Sequence, residues 1–266
     1  MHLNPTEEFY QLLNQAYAHF NAQLFNTSLP WCMLTLQRSS NTMGYFSAER
    51  WVDGKGIKAH EIALNPAYFA RHRVIDVLQT LVHEQCHLWQ HVYGEHKSRS
   101  GYHNREWANK MEEIGLIPSD TGEVGGRKTG QSMSDYPDSA GRFLSACLSL
   151  TKGEYQLKWI DTEPAWQPSS QPRDKEVSAV MAGQVLDETS AYLQTLWGQA
   201  PALLAMVPTA VAQEEINWAQ PEKKRQSKSK YCCPRCSVNI WGKPGLNVQC
   251  GECGSRFEIV QTGGIE

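Results

Sequence analysis

His83-Glu84-Gln85-Cys86-His87 places two imidazoles four residues apart, with a carboxylate next to the first. Around it Val74, Leu78, Leu81, Val82, Leu88, Trp89 and Val92 recur at helical spacing, so the spacing predicts a helix. Residues i and i+4 share one face of a helix, which lets His83 and His87 bind a single metal ion. Glu84 then stands one position along, where it acts as the base toward a water molecule. An HExxH run in a helical setting is the pattern of a zinc hydrolase.

A catalytic zinc keeps three protein ligands and leaves one position open, so a third ligand has to come from elsewhere. His91 continues the same helical row, but it lies about 12 Å along the axis from His83, too far to share the ion. Gly94 is a plausible helix stop, and the polar segment from Glu95 to Gly101 turns the chain back toward His103, which opens a second helical pattern through Trp107, Met111 and Ile114. His103 is the first choice. A carboxylate from Glu106, Glu112 or Glu113 remains an alternative, and His96, in the loop, is a weaker rival. A metzincin arrangement is excluded because Gln90 and Tyr93 stand where glycine and histidine would be needed. Tyr102 and Tyr136 are candidate hydrogen-bond donors to the oxyanion.

A second set of residues with metal chemistry is Cys233-Pro-Arg-Cys236 and Cys250-Gly-Glu-Cys253. Two CxxC pairs at this separation form a zinc-ribbon pattern, in which four thiolates close the coordination shell and make the site structural. Strands are expected at Val238 to Trp241, Leu246 to Val248 and Phe257 to Val260. Cys232 is a spare thiol. Residues 221 to 266 carry eight Lys/Arg against four Asp/Glu, a net of +4, and the whole-chain net of -3 leaves -7 for the rest. Lys223, Lys224, Arg225, Lys228 and Lys230 precede the ribbon and can neutralise phosphates, while Trp241 and Phe257 offer stacking surfaces for single-stranded DNA. A solvated basic linker beside a purely structural ribbon is the alternative.

The elements that must position these groups follow from the pattern of the first 150 residues. A first helix is predicted from Thr6 as N-cap, with Glu7 and Glu8 in its first turn and a stripe of Phe9, Leu12, Leu13, Tyr17, Phe20 and Leu24. Strands are predicted at Cys32 to Gln37, Met43 to Trp51 and Glu61 to Leu64. Asn65-Pro66 reads as N-cap and first residue of a short helix leading to the metal helix. Residues 118 to 141 are rich in Gly, Ser and Asp, and the segment Gly125 to Tyr136 within them reads as a loop. The fold class is α+β: helices packed on a small, mainly antiparallel sheet in zincin-like order, followed by a small C-terminal ribbon. The expected division is a metal domain over 1–150, a partly helical linker ending in a basic tether over 151–230, with a helix through Val177 to Leu196, and the ribbon over 231–262.

Several separate segments together resemble the SprT-like zinc metallopeptidases, the family of the Spartan DNA–protein crosslink proteases. They are His19-Phe20-Asn21 through Leu24-Phe25 to Leu29-Pro30, then Met43-Gly44-Tyr45-Phe46, then Leu81 through His83-Glu84 and His87 to Trp89, and Gly101-Tyr102-His103. The resemblance implies zinc on His83, His87 and His103, with Glu84 as base. It also implies protein substrates bound or crosslinked to DNA. Asn104 stands where the family often has glycine.

With 41% apolar residues over 266 positions, the chain can bury a sizeable core. The N-terminus lacks the basic start and apolar stretch of a signal peptide, and the apolar run from Leu196 to Ala212 is broken by Gln199, Pro201 and Pro208. Cytoplasmic residence is expected, with nucleoid association if the chain binds DNA. The leading functional reading is a zinc endopeptidase, with one catalytic and one structural zinc; its rivals are a non-catalytic nucleic-acid-binding or regulatory adaptor whose HExxH site is closed by a fourth ligand, and a metalloenzyme acting on a non-peptide bond.

Overall fold

The computed structural model describes residues 4–38, 42–69, 72–153, 155–159, 161, 199–200, 203 and 228–260. The chain divides into two compact units, Met1–Ala219 and Gln220–Glu266. The helix expected through Val177 to Leu196 lies outside the described residues, as do Lys223, Lys224 and Arg225.

In the first unit, helix α1 (Pro5–Phe25) starts two residues earlier than Thr6 suggests. Its N-cap is Asn4, whose Oδ1 accepts from the Glu7 N–H at 3.0 Å, and Pro5 supplies a pre-set φ at the first helical position. Glu7 and Glu8 still occupy the first turn, where the helix dipole favours them. The helix ends at Asn26, in the left-handed region at φ 53.

Strands β1 (Met33–Leu36), β2 (Gly44–Val52) and β3 (Lys58–Leu64) form one sheet in the order β1-β3-β2. The central strand β3 pairs parallel with β1 and antiparallel with β2, so the sheet is mixed and β2 is an edge. The β2 ladder is interrupted between Ser47 and Trp51 by a bulge at Glu49, which sits at φ 50. The Glu49 N–H, unpaired in the ladder, donates to Nδ1 of His60 at 3.0 Å.

Helix α2 (Pro66–Phe69) follows, with the Asn65 side chain accepting from the Ala67 N–H at 3.2 Å, and α3 (Val74–Tyr93) carries the HExxH run across the sheet. Close approach of β2 to α3 requires glycine at 44: a Cβ there would lie 2.8 Å from Thr80 Cγ2 and 3.0 Å from the Ala63 carbonyl oxygen. Strand β4 (Tyr102–His103), helix α4 (Arg105–Ile114), strands β5 (Leu116–Ser119), β6 (Gly130–Gln131) and β7 (Ser134–Pro137), and helix α5 (Arg142–Thr151) complete the described elements of this unit. The segment Gly125 to Tyr136 read as a loop thus contains β6 and most of β7, strands that pair antiparallel with β4 and β5.

The core is continuous across these elements and also takes in Tyr155, Leu157, Ala200 and Leu203. His19-Phe20-Asn21 turns out to serve packing. His19 Nε2 lies 2.8 Å from the Ala146 carbonyl, Phe20 stacks on Phe143 at 5.9 Å, and Asn21 clamps Leu29 through both its backbone groups at 2.9 and 3.0 Å. Among the described residues no helix is long and apolar enough to cross a membrane.

In the second unit, strands β8 (Ser229–Cys232), β9 (Asn239–Gly242) and β10 (Glu258–Ile259) form an antiparallel sheet in the order β10-β8-β9. The first strand therefore precedes the first CxxC pair, and Leu246 to Val248 is not a strand. Val248 instead accepts from the Phe257 N–H at 3.0 Å.

Phe20 is fully buried and bridges α1 to α5. Phe20→Ala is expected to cost about 3–5 kcal/mol, read as a large drop in the thermal unfolding midpoint. A midpoint within a degree or so of the wild type would contradict this account of the core.

Candidate metal centre

Helix α3 delivers two of the three imidazoles by its own periodicity. The ring centroids of His83 and His87 are 5.0 Å apart. The third comes from β4, where His103 is buried. Its Nε2 lies 3.1 Å from Nε2 of His87, and ring nitrogens of all three residues fall within 4.8 Å of one another.

Bringing His103 back to α3 takes a brace, and Glu106 supplies it. Its carboxylate accepts from the backbone N–H groups of Glu95 and His96 at 2.7 and 3.1 Å, which fixes the turn after α3. Gln90 Nε2 joins the same cluster, donating to the His96 carbonyl, Asn104 Oδ1 and Glu106 Oε2. Asn104 is also the N-cap of α4, accepting from the Trp107 N–H at 3.0 Å. The alternative third ligands are thereby otherwise engaged: Glu106 in the turn, Glu112 with Lys128 at 2.9 Å, and Glu113 with Lys110 at 2.8 Å. The His96 side chain is 77% exposed, 3.9 Å from Glu106. His91 packs instead against His60 and Phe46.

Trp107, the first large apolar residue of α4, is wholly buried beneath all three imidazoles. Its ring centroid lies 4.9 Å from His83, 5.2 Å from His87 and 4.4 Å from His103. The cluster thus stands on a rigid apolar floor.

One functional residue is not evident from the sequence. Asp135 of β7 is buried, and its Oδ2 lies 2.8 Å from Nδ1 of His83, leaving Nε2 of that ring for the shared centre. Gln79, one turn before His83 on α3, holds Asp135 by donating to both its carbonyl and its Oδ1 at 2.8 Å. In the fold Met133, Asp135 and Pro137 are buried and alternate with the less buried Ser134 and Tyr136, a period that the residue types themselves do not show. Tyr136 consequently faces away from Asp135 and does not line the cleft, whereas Tyr102 does. On the other side of the cluster, His103 Nδ1 makes a long contact of 3.4 Å with the Gly130 carbonyl oxygen.

The electrostatics follow from burial. Burial, then the neighbouring His83, pushes His87 well below the usual imidazole range and His103 down to about 4. Both are neutral at pH 7, the form in which imidazole is a ligand. Burial also pulls His83 downward, but the Asp135 hydrogen bond and the charges of Glu84 and Asp135 outweigh it, and its pKa is raised. Glu84 is pushed up to about 7 by burial, against the opposing pull of His83 and of a hydrogen bond from the Phe46 backbone on β2. A carboxyl poised near neutrality beside a histidine cluster is suited to proton transfer.

The donor set fits a tetrahedral metal. With metal–nitrogen bonds of about 2.0–2.1 Å, ligand nitrogens stand roughly 3.3 Å apart, close to the 3.1 Å between His87 and His103. Two of the rings have Nδ1 facing an oxygen acceptor, which directs Nε2 lone pairs inward. The three histidines and Glu84 lie at the base of a cleft of about 740 Å³, walled by β2 residues Gly44 to Phe46 and the segment Lys97 to Tyr102.

The chemistry of this site agrees with comparisons to known proteins, in which the SprT-like family matches residues 13–123. Over those residues the chain is similar to the SprT-like family. A stretch of 48 residues, 18% of the chain, is 50% identical to an "uncharacterized protein in mucB 3'region" of Salmonella typhimurium, and it spans 65% of that relative. No solved structure matches. The match to the SprT-like family ends before Gly130 and Asp135, the two residues whose oxygens face His103 and His83.

The second unit brings Cys233, Cys236, Cys250 and Cys253 together, with sulfurs within 4.8 Å of one another. Cys233 and Cys253 are 3.5 Å apart, Cys236 and Cys250 4.0 Å, against roughly 3.8 Å for thiolates on one tetrahedral metal. The two halves are built alike: the residue after each pair, Ser237 at φ 57 and Gly254 at φ 68, is left-handed. Each of these residues donates its N–H to the carbonyl of the first cysteine, at 2.9 Å in both cases. Cys232 stays outside the cluster, its sulfur on the Cys233 carbonyl. Lys230 lies within β8 rather than in a tether, opposite Trp241 and 5.9 Å from its ring centroid.

Asp135→Asn is expected to weaken metal binding at the histidine site by about 10- to 100-fold. Competition against a chelator of known affinity measures this, with the four-cysteine site as an internal reference. Unchanged affinity would remove Asp135 from the site.

Proposed function

We propose that the chain is a zinc-dependent endopeptidase of zincin-like fold, with one catalytic zinc on His83, His87 and His103 and one structural zinc in a C-terminal ribbon on Cys233, Cys236, Cys250 and Cys253. The observation that carries this reading is a buried carboxyl, Glu84, set beside three converging imidazoles at the base of an open cleft. Among the described residues the histidine cluster has three members, which suits an open catalytic position better than the closed shell that an adaptor requires.

Zinc bound there supplies Lewis-acid charge, which polarises a substrate carbonyl, acidifies a water molecule and draws Glu84 toward its ionised form. Glu84 takes the proton of the attacking water and delivers it to the leaving amine. Asp135 and Gln79 keep His83 in one orientation while this happens. The substrate lies extended along the β2 edge, where Gly44 and Phe46 line the cleft and backbone pairing holds a peptide with little demand on its sequence. Of the two candidate tyrosines, Tyr102 lines the cleft, which supports it as the hydrogen-bond donor to the oxyanion.

Proteins bound or crosslinked to DNA are the proposed substrates, in a cytoplasmic, nucleoid-associated setting. This part rests on the family resemblance and on the second unit, where Trp241 is 63% exposed beside Lys230, with Lys228 nearby. Exposed aromatic and cationic side chains together suit single-stranded DNA.

Glu84→Gln is expected to lower cleavage of a DNA-binding protein by at least about 10²- to 10⁴-fold while both metals remain bound. Activity equal to wild type would end the mechanism. Deleting residues 221–266 is expected to weaken binding to single-stranded DNA and to flatten its salt dependence. An unchanged salt titration would remove the ribbon from DNA binding.

A further inference from the structure

Beside the metal cleft lies a second concavity of about 730 Å³, lined by Arg99, Tyr102, Arg105, Arg127, Lys128 and the Thr129–Gln131 segment, with no carboxylate in its lining. It adjoins the cleft: Arg99 and Tyr102 line both, and Lys97 stands on the cleft side. Its wall is the β4–β6 ladder that also carries His103.

The cations here are not equivalent. Arg127 is paired with Asp120 at 2.7 Å and Lys128 with Glu112 at 2.9 Å. Arg99 has its guanidinium over the Tyr102 ring at 5.1 Å, and neither it, Arg105 nor Lys97 forms an ion pair among the described residues. Arg105 is also the first residue of α4, where its charge opposes the positive end of the helix. That placement does not favour the helix, and with no ion pair among the described residues the Arg105 guanidinium is open to an anion from outside the fold.

We propose that this pocket is a subsite for acidic side chains of the protein substrate, on the flank that leaves the cleft past Tyr102. Continuity with the cleft favours the molecule already lying in it, an extended peptide. The number of cations favours carboxylates over a polyphosphate: of the four in the lining only Arg99 and Arg105 are uncompensated, and residues 1 to 220 carry a net -7, which repels a nucleic-acid backbone at longer range. The proposal rests on the peptide-cleft reading above and adds to it a preference for negative charge on one side of the scissile bond.

The test uses the full-length Glu84→Gln protein loaded with zinc and fluorescent peptides that share a neutral core and carry a short run of Glu or of Gln on either flank. Fluorescence anisotropy is expected to give about fivefold tighter binding for Glu than for Gln on one flank only, a gap that narrows as ionic strength rises. Replacing both Arg99 and Arg105 with Gln is expected to erase the gap, the all-Gln peptide serving as the control for any change in the cleft wall to which Arg99 belongs. Both side chains are exposed, and Arg105→Gln alone, expected to lose part of the gap, covers the case in which the double variant is unstable. Equal affinities for Glu and Gln flanks in the parent, or a gap that survives in the double variant, would overturn the proposal. Tighter binding of a single-stranded oligonucleotide through the same two arginines would overturn it too, in favour of a nucleic-acid site. Because binding is read rather than cleavage, the pocket is tested even in a chain that fails as a peptidase.

Discussion

Three imidazoles must present lone pairs to one point, and only two of them can come from a single helix. His83 and His87 share a face of α3 at no cost beyond forming the helix. His103 lies sixteen residues beyond His87 and has to be carried back to within 3.1 Å of it. Much of the local structure serves that return. Glu106 ties down the turn after α3, Gln90 and Asn104 lock the turn to the start of α4, and Gly130 of β6 faces the far side of the His103 ring. Trp107 then sets the height of all three rings. Imidazoles crowded into a buried pocket gain little from one another, so the arrangement is best understood as held ready by its surroundings.

The parts of this site that are legible in the sequence are those whose geometry is local. An i, i+4 histidine pair is specified by helical pitch, and a CxxC knuckle by a turn of a few residues. Both can be read from residue types and spacing alone. Asp135 cannot, because it is fifty-two residues from His83 and sits in a segment whose Gly, Ser and Asp content argues for a loop. That segment acquires short strands only by pairing with β4 and β5, and pairing partners are not written in a run of two to four residues. The start of α1 is displaced for another reason: Asn4-Pro5 and Thr6-Glu7 are both good helix starts, and the fixed φ of proline decides for the earlier one. The His19-Phe20-Asn21 segment is part of the family resemblance, and the structure gives it a packing role through Ala146, Phe143 and Leu29.

The two candidate metal centres meet the same geometric problem with different materials. The four-cysteine cluster needs only backbone turns, each with a left-handed residue after the second cysteine, beside a small sheet with a core of few residues. The histidine centre draws on a helix, two ladders and a buried aromatic floor. A small closed site can be supported by its own loop, whereas an open cleft has to be kept open by a much larger framework.

The bulge in β2 limits what that edge can accept. Up to Ser47 the strand is regular; beyond it Glu49 breaks the register, and the ladder resumes only at Trp51. A strand added along the edge therefore loses its alignment after Ser47. Past that point Trp51, Val52 and Ile57 lie 42%, 67% and 64% exposed, an apolar hairpin end of the kind that invites edge-to-edge association. The bulge works as a ruler, giving a visiting chain only a few residues of pairing and denying two copies of the protein a continuous seam along which to zip together.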